Sequence, residues 1–170
     1  LAMDTVFCPA DETDRRAGSL AAPCWLAVAD LDHFKRVNDQ FGHLIGDEVL
    51  LLSARLMRSS FRYSDRVFRF GGEEFVLLLR HAETTGAMAA LEKFRQRVAA
   101  HAYPQIGQIT VSLGYTRIDP DDTPGSAFER ADKAVYAAKE DGRNRVLCFE
   151  ELVAAGRLPA QAKTGPVDFF

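Results

Sequence analysis

Cysteine is scarce and scattered. The three present, Cys8, Cys24 and Cys148, form no close pair and no Cys-x-x-Cys. That excludes a disulfide framework and a cysteine-built zinc site, and it points to a reduced, cytoplasmic setting. There is no surplus of positive charge either: Lys and Arg number 21 against 24 Asp and Glu, a formal net charge of -3. Broad non-specific binding of DNA or RNA wants a basic face, so nucleic acid is set aside as a partner. An anionic substrate would have to be met locally, by a few cations or a metal ion. Long apolar runs are missing too. The longest, Ala21 to Ala29, is broken by Pro23 and far too short to span a bilayer, so no membrane contact is expected within the chain. No internal repeat and no low-complexity stretch is visible.

What is present is ordinary for a globular domain. The chain has 170 residues, 47% of them hydrophobic and 26% charged, enough for one domain with a proper core. Residues 1–22 read as a polar lead-in carrying the charge cluster Asp11 to Arg16. Residues 23–150 read as the domain. Residues 151–170, with Gly156, Pro159, Gly165, Pro166 and no clear period, read as a C-terminal tail.

Within the domain, Cys24 to Ala29 reads as a buried strand that stops at Asp30-Leu31-Asp32. A short helix is predicted over Phe34–Phe41, broken by Gly42-His43, and a long one from about Ile45 to Ser59. Val67–Phe70 and Phe75–Leu79 form a hairpin whose tip is Gly71-Gly72, with positive φ expected at both glycines. A helix over Thr84–Ala100 and a strand over Ile109–Tyr115 follow. A further helix, through Phe128, Ala131, Val135 and Ala138, closes at Gly142, and Val146–Phe149 is a last strand. The order implies an α+β fold: a ferredoxin-like βαββαβ core with an additional C-terminal helix and strand, its helices on one face of the sheet.

Four constellations carry chemistry. Asp30-Leu31-Asp32-His33-Phe34-Lys35 lies where a buried strand gives way to a helix, a place that suits Mg²⁺ and phosphate but equally a simple carboxylate cap. If the first strand neighbours the hairpin, Asp30 meets Glu73 and Glu74, and carboxylates from two strands can cradle divalent ions. Asn38, His43 and Asp47 follow; Asp with Asn suits the donors and acceptors of guanine, while Asp47 in a first helical turn would also be favoured by the dipole alone. Lys139 and Arg143, four apart at a helix end, are either C-terminal stabilisers or, with Lys35, holders of triphosphate oxygens. Arg62-Tyr63-Ser64-Asp65 precedes the hairpin; such a pair usually faces solvent or its own partner.

Together these segments resemble the GGDEF domains, the bacterial diguanylate cyclases. The matching pieces are Asp30-Leu-Asp-His-Phe-Lys35, Val37-Asn38-Asp39, Phe41-Gly42-His43, Ile45-Gly46-Asp47-Glu48-Val49-Leu50, Arg69-Phe-Gly-Gly-Glu-Glu-Phe75, Thr110-Val-Ser-Leu-Gly114, Arg130-Ala-Asp132, Ala134-Val-Tyr136, Ala138-Lys139 and Gly142-Arg143-Asn144. The resemblance covers roughly residues 24–149 and carries the GGEEF form of the signature. It implies a nucleotidyl-cyclase, palm-like fold that condenses two GTP into cyclic di-GMP with release of two pyrophosphates. Mg²⁺, with Mn²⁺ as the alternative ion, would be held by Asp30, the Leu31 carbonyl and Glu73. Guanine would be met by Asn38 and Asp47, with His43 and Leu50 nearby. His33 and Phe34 would offer backbone N–H groups, and Lys35, Lys139 and Arg143 would hold phosphates. Glu73, or in its place Glu74, would be the base for the 3′-hydroxyl, and Lys35 would stabilise transition-state charge. Catalysis would need a homodimer of domains.

The resemblance further implies a product-inhibition site at Arg62 and Asp65, where cyclic di-GMP is held; Lys93 falls where a second arginine commonly completes it. Family members usually open with Leu-Thr-Gly-Leu-x-Asn-Arg and a full helix. No such motif precedes Cys24, so residues 1–22 are expected to be truncated relative to the family, with an upstream sensory or receiver domain in the full protein. The competing reading is a non-catalytic module of this family that senses cyclic di-GMP or GTP. The joint presence of Asp30, Glu73, Glu74, Asn38, Asp47 and Lys35 favours the enzyme.

Overall fold

A computed structural model describes residues 23–80 and 82–160; the expected lead-in and residues 161–170 lie outside them. The elements are β1 (Trp25–Leu31), α1 (Phe34–Phe41), α2 (His43–Ser60), β2 (Arg66–Gly71), β3 (Glu74–Leu79), α3 (Thr84–Ala100), β4 (Val111–Arg117), α4 (Pro124–Glu140), β5 (Val146–Cys148) and α5 (Phe149–Ala154). They form a five-stranded sheet in the order β2-β3-β1-β4-β5. All neighbours are antiparallel except β4 and β5.

β1 is central in the sheet and buried along its whole length. Its run Trp25 to Ala29 has no polar residue, so neither side can face water, and a strand of this kind needs cover on both faces. Trp25, Ala27, Ala29 and Leu31 belong to the larger core, with α1, α2 and α3. Leu26 and Val28, with Val76 and Leu78 of β3, pack on Ala127, Ala131 and Val135 of α4. The expectation of helices on one face is therefore corrected: α4 roofs the opposite face. It comes close because β4 presents Gly114, where a Cβ would meet the Ala131 carbonyl oxygen at 2.3 Å and the Val135 nitrogen at 2.3 Å.

Three local readings also change. A bulge between Arg69 and Gly71 keeps Gly71 paired with Glu74, so the turn centres on Gly72-Glu73 and, of the two glycines, only Gly72 has positive φ (47°). The Arg69 guanidinium braces it, donating to the Gly72 carbonyl at 3.1 and 2.9 Å. α2 begins at His43, two residues earlier than periodicity suggests, directly after Gly42 with φ 84°. Phe149 opens α5 rather than ending β5, and Phe149 and Leu152 pack on Ala134 and Ala137. A tail boundary at 150 thus cuts through a packed helix whose apolar spacing was too short to register as a period.

α4 is fixed at its start by reciprocal bonds between Thr123 and Ser126 and by Pro124 in its first turn. Arg130 reaches from α4 to the loop before it. Its Nη1 donates to Asp122 Oδ1 at 2.6 Å, its Nε to Thr116 Oγ1 at 3.0 Å and an Nη2 to the Arg117 carbonyl at 2.8 Å. Burial alone would push the Asp122 carboxyl up, but the Arg130 guanidinium, the Asp119 N–H and Ser126 hold it below the usual range.

Two outcomes follow from these contacts. Gly114→Ala meets backbone, not a yielding side chain, and should lower unfolding free energy in urea by about 3 kcal/mol. Arg130→Met leaves Asp122 buried without its cation and should cost about 3 kcal/mol at neutral pH. Because the Asp122 carboxyl is depressed in the folded state, the pair's contribution is present above its unfolded pKa and fades as pH falls through the folded one. The gap between Arg130→Met and the unmodified chain should therefore shrink in acid denaturation series.

Candidate functional site

The apolar run of β1 ends on a carboxylate. Asp30 keeps only 5% of its surface exposed. It lies opposite Glu74 across β3 and opposite Ser112 across β4, and the Leu31 N–H donates to the Glu73 carbonyl at 3.3 Å. Of the acids expected to converge at this end of the sheet, Glu74 stands in register with Asp30, and Glu73 is tied to β1 through its backbone carbonyl. Lys139, on α4, reaches over the sheet and places Nζ 2.8 Å from Asp30 Oδ2.

This end of the sheet is short of positive charge. Burial pushes the Asp30 carboxyl up; Lys139 opposes the shift, and Asp32 and Asp132 add to it. Glu74 is likewise raised, first by burial, then by the Asp30 and Asp132 carboxylates, with Lys139 in opposition. One ammonium among several carboxylates leaves a net negative spot lined by oxygen donors. Among these oxygen donors, Asp30, the Leu31 carbonyl and Glu73 are the groups that could hold a hard divalent cation. No group of three or more His, Cys, Asp or Glu side chains suited to a metal occurs among the described residues.

Neither Asp30 nor Asp32 caps α1. The cap position is His33, in left-handed geometry (φ 59°) and without a side-chain cap bond. Asp32 is instead saturated. Oδ1 accepts from Ser112 Oγ at 2.7 Å, and Oδ2 accepts from Thr110 Oγ1 at 2.6 Å and the Asn144 N–H at 3.1 Å. His33 and Lys35 are exposed, while the Phe34 side chain is buried and leaves only its backbone to the site.

Across α1 and α2, Asn38 is half-buried, His43 and Asp47 are exposed and Leu50 is buried. The early start of α2 puts Asp47 beyond the first turn, which weakens the dipole explanation for it, and places His43 four residues before it on the same helix. Gly46 is the residue that sequence reasoning passed over here. A Cβ on it would lie 1.9 Å from Asn38 Oδ1, so the glycine makes the seat in which the Asn38 carboxamide lies. A cleft of about 260 Å³ beside α1 is lined by Asp32, His33, Arg36, Val37, Phe41 and Ile109, among others; it includes none of Asn38, Asp47 and Leu50.

Beyond α4, Arg143 is not helical. It stands in left-handed backbone (φ 65°) and donates from Nη1 to the Lys139 carbonyl at 3.4 Å. Arg62 and Asp65 share one tight turn: Asp65 Oδ2 accepts the Arg62 N–H at 2.9 Å, and Oδ1 accepts the Arg80 N–H at 3.1 Å. The Arg62 side chain is exposed, as is Lys93 on α3. The arginines near Lys93 are engaged elsewhere, Arg95 with Glu92 and Asn144, Arg97 with Ser59 and Ser60. No helix among the described residues is long and apolar enough to cross a membrane.

Comparison with known proteins extends this geometry. The family described as diguanylate cyclase, GGDEF domain, matches residues 12–145, so the match begins inside the expected lead-in. Diguanylate cyclase DgcP of Pseudomonas aeruginosa is 45% identical over 124 residues, covering 71% of this chain and 18% of that protein. The GGDEF domain of DgcB from Caulobacter crescentus, solved in complex with c-di-GMP, superposes with a TM-score of 0.71 at 36% identity, over 75% of this chain and 78% of the other. The active GGEEF domain of a Vibrio cholerae diguanylate cyclase gives 0.70 at 36% identity, over 75% and 83%. The chain spans less than half the length of the curated relatives it matches.

Gly46→Ala tests the Asn38 seat. The intruding methyl meets the far ends of two side chains, the Asn38 carboxamide and the buried Phe34 ring at 3.2 Å, so the gain in helix propensity is offset and stability should change by no more than about 1 kcal/mol. The Asn38 side-chain amide resonances should nonetheless move, and affinity for a guanine nucleotide should fall.

Proposed function

Because the chain belongs to the GGDEF family of diguanylate cyclase domains, we propose that it joins two GTP molecules into cyclic di-GMP, with two pyrophosphates as leaving groups. One observation carries the reading: Asp30 at the end of β1 faces the Glu73-Glu74 hairpin in adjacent register, with Lys139 closing over the top. Asn38 and Asp47 read the guanine edge, the first held in place by Gly46. The free N–H groups at the start of α1, with Lys35, Lys139 and Arg143, take up the triphosphate.

In each half-reaction a 3′-oxygen bonds to the α-phosphorus of the other nucleotide. The bond from that phosphorus to the bridging oxygen breaks, and pyrophosphate leaves with the electron pair. Glu73 receives the hydroxyl proton, and Lys35 lies near the charge that builds on the phosphoryl oxygens. Asp30, the Leu31 carbonyl and Glu73 would hold Mg²⁺ or Mn²⁺, which when bound would supply Lewis-acid charge toward the phosphates and the attacking hydroxyl. One domain holds one nucleotide, so the reaction needs two domains face to face. Cyclic di-GMP held at Arg62 and Asp65, with Lys93 supplying a point charge in place of a forked guanidinium, restrains the enzyme. A reaction that consumes GTP suits a cytoplasmic domain, and an upstream regulatory domain in the full protein would supply its control.

Incubating the chain at high concentration with GTP and MgCl₂ should yield cyclic di-GMP by chromatography. Glu73→Ala and Asp30→Ala should each lower the rate by at least about 100-fold. Absence of product together with tight cyclic di-GMP binding would instead identify a sensor module. Arg62→Ala should shift the inhibition curve for added cyclic di-GMP to higher concentration without lowering the initial rate; an unmoved curve would remove the Arg62–Asp65 turn from that role.

A further inference from the structure

Past the end of α4 the backbone does something costly. Gly142, Arg143 and Asn144 all have positive φ, at 105°, 65° and 47°, and two of the three are not glycine. Asparagine tolerates this region, but an arginine is costly there and persists where its surroundings fix it. Three ties do so. The Arg143 N–H donates to the Ala138 carbonyl at 2.9 Å. Asn144 Oδ1 accepts from Arg95 Nη1 at 2.6 Å, and the Asn144 N–H donates to Asp32 Oδ2 at 3.1 Å.

The second and third ties are both long-range, and the acceptor of the third, 112 residues away, lies beside the start of α1. Asp32 is only 3% exposed and lies between Asp30 and the start of α1. Its own N–H donates to the Thr110 carbonyl at 2.9 Å, and both its oxygens are occupied. A carboxylate so placed is not available to a metal ion. It joins the loop that presents His33, Phe34 and Lys35 to the turn that presents Arg143.

We propose that Asp32 is a positioning residue: through the Asn144 N–H it locks the left-handed 142–144 turn and so holds Arg143 at the distance from the α1 N-terminus that a triphosphate requires. The inference rests on the nucleotide-binding reading above, and it needs an acceptor oxygen at position 32 rather than a charge. Asp32→Ala strands the Asn144 N–H, and Asp32→Asn can keep its carbonyl on Asn144 and Thr110 while its amide turns to Ser112.

Steady-state kinetics with GTP, or titration with a non-hydrolysable GTP analogue, tests this. Asp32→Ala should raise KM about tenfold with kcat changed far less, and Asp32→Asn should restore KM to within about twofold. Ser112→Ala, which removes the bond to the other oxygen, should lower the melting temperature and leave KM unchanged. In an Arg143→Ala background, Asp32→Ala should add less than about twofold. Additive losses, failure of Asp32→Asn to rescue, or an equal KM rise in Ser112→Ala would overturn the proposal. If Asp32→Ala does not fold, amide exchange of the unmodified chain decides: the Asn144 N–H should be protected, and exchange at the rate of an open loop would overturn it. A chain that binds no guanine nucleotide at all would count against the enzyme reading instead.

Discussion

The placement of a carboxylate at the buried end of an apolar strand is the constraint on which the rest depends. β1 has no polar side chain before Asp30, so the strand can only sit between two layers. Its last turn of chain then delivers an acid into a region where charge is expensive. Lys139 offsets part of that cost at 2.8 Å, yet the Asp30 and Glu74 carboxyls both remain raised, by burial first and by neighbouring acids after it. The imbalance is a property of the fold. It leaves an electrostatic demand at the end of β1 that the side chains around it do not meet.

α4 serves packing and chemistry through one geometry. Its alanine stripe lies on Leu26, Val28, Val76 and Leu78, and Gly114 lets its backbone settle against β4. That depth fixes how far Lys139 stands from Asp30. Phe128 near its start packs against Phe70 of β2, ring centres 4.8 Å apart and planes tilted by 36°, so the helix also touches the strand that leads into the Gly72-Glu73 turn. Raising α4 by one methyl group would move the ammonium and the hairpin together.

Much of this was legible in the chain itself. Strand β1, helices α1 and α3, the hairpin and the closing Gly142 follow from period and composition, and the convergence of Asp30 with the glutamates follows from making β1 and β3 neighbours. The two-faced sheet was legible in principle: an uninterrupted apolar β1 and an alanine-rich α4 are complementary, but periodicity does not say which layer a helix joins. The turn centre moved because a bulge is a pairing event between strands and leaves no mark beyond the glycines. α5 is too short to show a helical period. Gly46 and Asn144 were missed for one reason: both act through a contact with a residue in another element, and their identity reports only backbone freedom.

Asp30 and Asp32 show why residue type alone underdetermines a site. They stand two apart in the sequence, both nearly sealed from solvent, and identical in chemistry. Asp32 meets two hydroxyls and an amide N–H, neutral donors that satisfy both of its oxygens and bind together the start of α1, the lead into β4 and the turn after α4. Asp30 meets an ammonium on one oxygen and other carboxylates beyond it. A carboxylate with its lone pairs committed is a fastener, since taking up a metal would strand three donors. A carboxylate held by one side-chain ammonium among like charges has a single strong donor and a net surplus of negative charge around it. The division of labour is therefore set by Thr110, Ser112 and Asn144 on one side and Lys139 on the other, residues contributed by strands and turns that the Asp-x-Asp spacing does not reveal.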